Sequence, residues 1–119
     1  MTSSPISVTV LPVGDGVCSV IRLAGEADLT ATELRDALTA EVARDPRMIL
    51  VDMSALSFID SAAMQMIVAA CRVFRGEGRA FALVHPAPVV ARVLELTGIS
   101  ELITVYDSVD DAVAATGRP

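Results

Sequence analysis

The chain has 119 residues and a formal net charge of −6, and it is rich in aliphatic residues. This length suits a single domain with its own core. The acidic balance argues against a protein that coats nucleic acid phosphates. No stretch approaches the roughly 20 apolar residues that span a membrane, and the N-terminus lacks the features of a signal peptide. We therefore expect one cytoplasmic domain over residues 1–119, with a core at about 8–114.

The N-terminal part of the sequence predicts a hairpin followed by a helix. Two short strand-like runs, Ser7–Leu11 and Val17–Leu23, flank the glycine-rich turn Gly14–Gly16 and favour a β-hairpin. Thr30 then precedes Glu33 by three positions, which is a capping box and predicts a helix start. The following Asp-Pro pair is expected to end this helix.

The next part alternates buried strands with helices. The apolar run Met48–Met53 is typical of a strand covered on both faces. Ser61–Gly76 predicts the helix that follows, and Arg79–Val84 the next buried strand. Pro88–Gly98 predicts a helix with proline at its start and glycine beyond its end.

The C-terminal part predicts a short strand, Leu102–Tyr106, and a last helix that the capping box Ser108–Asp111 opens. Strands that alternate with helices indicate an α/β fold with a mostly parallel sheet. The predicted sheet begins with the N-terminal hairpin. Right-handed crossovers between its parallel strands then predict about four helices packed on one face of the sheet. Binding sites gather at the carboxyl ends of such strands. Three breaks are therefore expected to share one edge: Gly25–Asp28, Ser57–Ser61 and His85–Pro88.

The residues offer little for catalysis or for a metal. His85 is the one histidine, so neither a histidine cluster nor an HExxH helix exists. A trio of Ser61, His85 and Asp28 lacks the GxSxG elbow, and the isolated glycine turns are not phosphate loops. Cys18 and Cys71 are too few and too far apart in sequence for a disulfide framework or a metal motif. We expect no enzyme activity, no metal and no cofactor.

Asp60 and Ser61 interrupt an apolar stretch immediately before a predicted helix. Both residue types are favoured as N-caps, because their oxygens satisfy free backbone N–H groups. Alternatively, Ser61 is a phosphoacceptor or contact point on an exposed edge, where the helix N-terminus tolerates a phosphate. The negative charge of that phosphate would repel a docked partner. The residues themselves leave both interpretations open.

The helix that begins at Ser61 has two distinguishable sides. A stripe at helical spacing is predicted to be buried: Ala63, Met66, Ile67, Ala70, Val73 and Phe74. The other side carries Met64, Val68 and Cys71 beside Gln65, and it is predicted to be an adaptable docking strip.

Three segments together resemble one known family. They are "LAGEADLTATELRDAL" (23–38), "LVDMSALSFIDSAAM" (50–64) and "RVLELTGI" (92–99). In order and spacing they resemble the anti-sigma factor antagonists, the bacterial STAS domains. The resemblance implies a protein that binds an anti-sigma factor, often a GHKL-type serine kinase, and so frees a sigma factor. It also implies that the kinase phosphorylates the Asp-Ser-[Ser/Thr]-Gly loop and that a phosphatase restores the antagonist.

By this resemblance, Asp60 matches the loop aspartate and Ser61 matches the first loop hydroxyl. Asp52 matches an aspartate at a strand end, for which a structural role is expected. Together with the docking strip, the expected partner-binding residues are Glu26, Asp28, Thr30, Asp60, Ser61, Met64, Gln65 and Val68.

Ala62 and Ala63 stand where the family has its second hydroxyl and a glycine. In well-known members that second hydroxyl is the phosphoacceptor, which leaves two hypotheses. Either Ser61 is phosphorylated, or the antagonist is controlled in another way, for which oxidation of Cys71 is one candidate. The departure also fits a rival function, the lone STAS subunit of an ABC-type lipid or solute transport complex that is never phosphorylated. The particular anti-sigma factor, any redox role of Cys18 and the oligomeric state stay open.

Overall fold

One five-stranded sheet organises the molecule. The structure, a computed structural model, describes residues 7–13, 18–27, 32–44 and 46–116. The strands are β1 (Ser7–Val13), β2 (Cys18–Ala27), β3 (Met48–Ile59), β4 (Ala80–Val84) and β5 (Val105–Tyr106). The helices are α1 (Thr32–Arg44), α2 (Ser61–Gly76), α3 (Pro88–Thr97), α4 (Ile99–Leu102) and α5 (Val109–Thr116).

The strands lie across the sheet in sequence order. β1 pairs with β2 in the antiparallel sense, and every later neighbouring pair is parallel. This order confirms the predicted α/β fold and the pairing of the two N-terminal strands. The glycine turn at 14–16 and the capping residue Thr30 lie outside the described residues.

Both faces of the sheet are apolar and both are covered. Ile49 and Val51 point into a large core that they share with α1 to α4. Met48 and Leu50 point to the other face, where they pack against Ala112 of α5. Four helices therefore cover one face, but the last predicted helix lies on the opposite face. The reason is the continuous apolar run of β3, since a strand without a polar side needs cover on both faces.

β3 extends further than the sequence predicts. The predicted strand ended at Met53, whereas the observed strand continues to Ile59 and stays paired with β2. Two register shifts each place one extra residue in β3 relative to β2, so both are β-bulges. As a result Met53, Leu56 and Ile59 are buried, while the residues between them are exposed. This spacing of three matches neither the strand period nor the helix period.

The predicted C-terminal strand is replaced in part by a helical turn. Leu102 was expected in the strand but belongs to α4, and β5 contains only two residues. Gly98 ends α3 with a φ of 80°, which glycine adopts without steric cost. The chain then makes one more turn, in which the Ile103 N–H donates to the Ile99 carbonyl at 2.9 Å. Ile99 and Ile103 are both buried, and this burial fixes the turn.

The last helix begins as predicted. The Asp111 N–H donates to Ser108 Oγ at 3.0 Å, which is the hydrogen bond of an N-terminal cap. Ser108 immediately precedes α5, so the capping residue was correctly identified from sequence.

Asp52 ties β2 to β3. One of its carboxylate oxygens accepts from Arg22 Nε at 3.2 Å, and the other accepts from the Ser54 N–H at 2.9 Å. Burial raises the pKa of Asp52, but the hydrogen bonds from Ser54 and the nearby Arg22 outweigh burial and leave the pKa lowered. These contacts agree with the structural role expected for this aspartate.

We expect Asp52→Asn to lower the free energy of unfolding by about 1–2 kcal/mol at neutral pH, because two donors lose a charged acceptor. A lowered folded pKa means that this stabilisation is present above the unfolded value of about 3.9 and is lost as the pH falls through the folded value. Urea denaturation of both proteins at about pH 7 and about pH 3 measures the effect. The gap between them should shrink in acid, and a gap of constant size would contradict the assignment.

Candidate functional site

The carboxyl ends of β2 and β3 form the edge at which α2 begins. Ala27 at the end of β2 pairs with Ile59 at the end of β3. Ser57 Oγ donates to the Gly25 carbonyl at 3.0 Å and joins the two strands just before their ends. Gly25 has a φ of 89° next to a register shift, a conformation that favours glycine. Two of the three sequence breaks therefore meet at this edge, as predicted, as far as Ala27.

The third break lies elsewhere. β4 ends opposite Asp52, and the Ala87 N–H donates to the Met53 carbonyl at 3.3 Å. The segment His85–Pro88 therefore lies beside the middle of β3, and the expectation that it shares the edge is wrong. The reason is the unforeseen length of β3, which carries the start of α2 well past the end of β4. His85 itself is exposed, as expected for a loop residue.

Asp60 is the N-cap of α2. Its backbone is extended, with φ −97° and ψ 174°, and its Oδ1 accepts from the Ala63 N–H at 2.9 Å. Its own carbonyl accepts from the Met64 N–H at 3.0 Å, which is the first hydrogen bond of the helix. The capping interpretation is therefore confirmed for Asp60.

Ser61 does not cap the helix. It is the first residue of α2 and it is exposed. Within the described part of the chain its hydroxyl makes no hydrogen bond. The two adjacent polar residues thus differ, since Asp60 holds the helix start while the Ser61 hydroxyl is available at the surface.

The buried face of α2 is rotated from the predicted one. Met64 is 7 % exposed and Cys71 is 3 % exposed, and both belong to the main core. Val73, predicted to be buried, is 47 % exposed. Assigning Met64 and Cys71 to an outer strip is therefore wrong, whereas Gln65 is exposed and Val68 is partly buried. Because α2 is apolar around most of its circumference, periodicity alone does not define its rotation.

An open groove of about 510 Å³ lies beside α2. Ser61, Gln65, Val68 and Arg72 line it from α2, together with one edge of the otherwise buried Met64. Four of the residues predicted for partner binding therefore border one cavity. Asp28 and Thr30 lie outside the described residues, and Glu26 is placed only by its backbone, which pairs with Phe58.

The two thiols are poorly suited to redox control. Burial raises the pKa of Cys18 to about 11. Burial also raises the pKa of Cys71, with partial opposition from the charge of Arg75. A thiol reacts as its thiolate, so both changes reduce reactivity. The redox hypothesis for Cys71 gains no support from its surroundings.

Within the described residues, no group of three His, Cys, Asp or Glu side chains is placed to hold a metal ion. None of the described helices is both long and apolar enough to cross a membrane. The exposed Ser61 and Gln65 lie at the start of α2 and along the groove beside it.

The fold agrees with comparisons to known proteins. The STAS domain pattern matches residues 9–112, and the chain belongs to the STAS domain family. The anti-sigma-F factor antagonist RsfB of Mycobacterium tuberculosis is 29 % identical over 112 residues, which cover 93 % of this chain and 91 % of RsfB.

Two solved structures share the fold. An anti-sigma factor antagonist from Mycobacterium paratuberculosis has a TM-score of 0.86 and 32 % identity, with 98 % of this chain and 100 % of that chain covered. The Bacillus cell fate determinant SpoIIAA in its phosphorylated form has a TM-score of 0.70 at 21 % identity. That match covers 92 % of this chain and 98 % of SpoIIAA, and it is a likeness of fold.

Mutation can test whether Asp60 alone, and not Ser61, stabilises the start of α2. We expect Asp60→Ala to lower the free energy of unfolding by about 0.5–2 kcal/mol, because the Ala63 N–H loses its acceptor. Ser61→Ala, the matched control, should stay within about 0.5 kcal/mol of wild type. Equal losses in thermal or chemical denaturation would show that Ser61 shares in the cap.

The corrected face of α2 makes a second prediction. Met64→Asp should destabilise the fold by several kcal/mol, because it buries an unpaired carboxylate. Gln65→Asp, one position away on the exposed side, should change stability by only about 0.5 kcal/mol. Thermal unfolding followed by circular dichroism measures the stability of the two variants. A Met64→Asp protein as stable as wild type would show that Met64 is not buried.

Proposed function

We propose that the protein is an anti-sigma factor antagonist that binds an anti-sigma factor in the cytoplasm and so frees a sigma factor. The observation that carries this proposal is the exposed Ser61 on the first turn of α2, whose hydroxyl makes no hydrogen bond within the described residues, beside a cap that Asp60 already provides. RsfB and the Mycobacterium paratuberculosis protein, both named as antagonists, resemble nearly the whole chain and support the proposal.

The proposed contact surface begins at the joined ends of β2 and β3. Asp60 and Ser61 form its centre, and Gln65 continues it along the exposed side of α2. By the family resemblance, Glu26, Asp28 and Thr30 are proposed to border it. The partner is proposed to be a GHKL-type serine kinase, with a phosphatase acting in opposition.

Ser61 is the proposed phosphoacceptor. The next residue, Ala62, has no hydroxyl, and the nearby Ser57 hydroxyl already donates to the Gly25 carbonyl. A phosphate on Ser61 would add roughly two negative charges beside Asp60. The helix N-terminus tolerates that charge, and the cap does not use the Ser61 hydroxyl, so the fold should persist. The docked partner would instead meet a new charge.

Ala62 also favours a second candidate, the STAS subunit of an ABC-type lipid or solute transport complex that is not phosphorylated. The same edge would then serve a constitutive contact. Partner identity separates the two functions: stable co-purification with an ABC ATPase, and none with an anti-sigma factor, would favour transport.

A phosphate-mimicking substitution tests the surface. We expect Ser61→Glu to weaken binding of the cognate anti-sigma kinase by about 1–3 kcal/mol, through repulsion and desolvation at the contact. Titration calorimetry of wild type, Ser61→Glu and the control Ser61→Ala measures this, with circular dichroism to verify the fold. Unchanged affinity of Ser61→Glu would place the partner away from this edge.

The modification itself is tested by intact-mass spectrometry after incubation with candidate GHKL kinases and ATP. One added phosphate is expected on wild type and none on Ser61→Ala. Tight binding without phosphate would instead identify an antagonist that Ser61 does not switch.

A further inference from the structure

α2 and α3 lie on the same face of the sheet but scarcely touch each other, whereas α1 and α2 pack directly. The gap between α2 and the α3–α4 turn is the 510 Å³ groove. Met64 and Ile99, both largely buried, form its floor. Val68 lines one wall and Thr97 the other. The helical layer is therefore interrupted at a place where the floor is apolar.

One charged side chain marks the groove. Arg72 lines its far end, about 17 Å along α2 from Ser61 at 1.5 Å per residue. Arg72 is exposed and forms no ion pair with the residues that the structure describes. The end at Ser61 differs, because the Asp60 carboxylate there already accepts from the α2 backbone. An acidic group of a partner would thus be attracted to the Arg72 end.

We propose that this groove receives an amphipathic helix of the anti-sigma factor, running antiparallel to α2. Its apolar stripe would cover Met64, Val68 and Ile99, as in other helix-in-groove contacts. An acidic residue in its first turn would face Arg72, and acidic residues suit that turn of any helix. Its C-terminal end would then lie at Ser61. This inference rests on the proposed function and names the segment that the partner contributes.

The orientation accounts for the effect of a phosphate. A helix C-terminus carries partial negative charge on its free carbonyls. A phosphate on Ser61 would face that end and repel it, while Arg72 at the other end would be unaffected. Release of the partner would therefore need no change in the fold of this chain, only a changed charge at the mouth of the groove.

A matched pair of bulky substitutions tests the occupant. Val68→Trp fills the groove, whereas Val73→Trp places the same side chain on the other side of α2, beside α1. We expect Val68→Trp to weaken binding of the cognate anti-sigma factor at least about 10-fold, and Val73→Trp to stay within about twofold of wild type. Calorimetry with full-length proteins measures both, after circular dichroism has verified their folds.

A second pair tests the charge. Arg72→Glu and Arg35→Glu change the net charge equally, but Arg35 lies on α1, on the side of α2 that carries Val73 and away from the groove. Arg72→Glu should weaken binding about 10-fold and Arg35→Glu should have little effect. Equal losses would reflect long-range charge alone and would overturn the proposed contact.

The remaining outcomes separate the inference from the proposed function. If Val68→Trp and Arg72→Glu bind normally while Ser61→Glu does not, the antagonist function stands and the groove inference fails. If Val73→Trp alone loses binding, the partner uses the other side of α2 and the inference also fails. Sedimentation showing a wild-type dimer that Val68→Trp disrupts, with anti-sigma binding intact, would assign the groove to a second copy. A wild-type chain that binds no anti-sigma factor overturns both proposals.

Discussion

The pairing of β2 and β3 beyond the end of β4 determines where the candidate functional edge lies. β4 ends opposite Asp52, but β3 continues to Ile59, a further distance of about 23 Å at roughly 3.3 Å per residue. α2 consequently begins far beyond the loop that leads into α3. The exposed Ser61 therefore lies away from the segment His85–Pro88.

The two bulges make this extension possible. An unbroken strand would alternate its side chains, but each bulge inserts a residue that turns the next apolar side chain back toward the core. Met53, Leu56 and Ile59 thereby anchor the extension although most residues between them are exposed. The anchored extension holds α2 at its N-terminus, while its remaining length packs against α1. The side toward α3 is left open, which is why a groove exists there.

The sequence predicts features that depend on local chemistry and misses those that depend on tertiary packing. The Ser108 cap, the Gly98 stop and the extent of α2 follow from short-range preferences, and the structure confirms them. The β3 extension could not be predicted, because bulges give burial at every third residue. The predicted buried face of α2 was wrong for a related reason. Met64 and Val73 are both apolar, so only the neighbouring elements decide which of them is buried. The sequence singles out Asp60 and Ser61 as a pair, but only the hydrogen bond from the Ala63 N–H to Asp60 distinguishes their roles.

The separate roles of Asp60 and Ser61 explain how a residue at the start of a helix can be phosphorylated without loss of the cap. A single residue that both caps a helix and accepts a phosphate would lose its capping hydrogen bond when modified. Here the capping carboxylate of Asp60 accepts from the Ala63 N–H, while the Ser61 hydroxyl makes no hydrogen bond with the residues that the structure describes. Charge can therefore change at position 61 with the helix start intact. Since the capping hydrogen bond and the proposed phosphoacceptor involve different atoms, the proposed phosphorylation of Ser61 need not reduce stability.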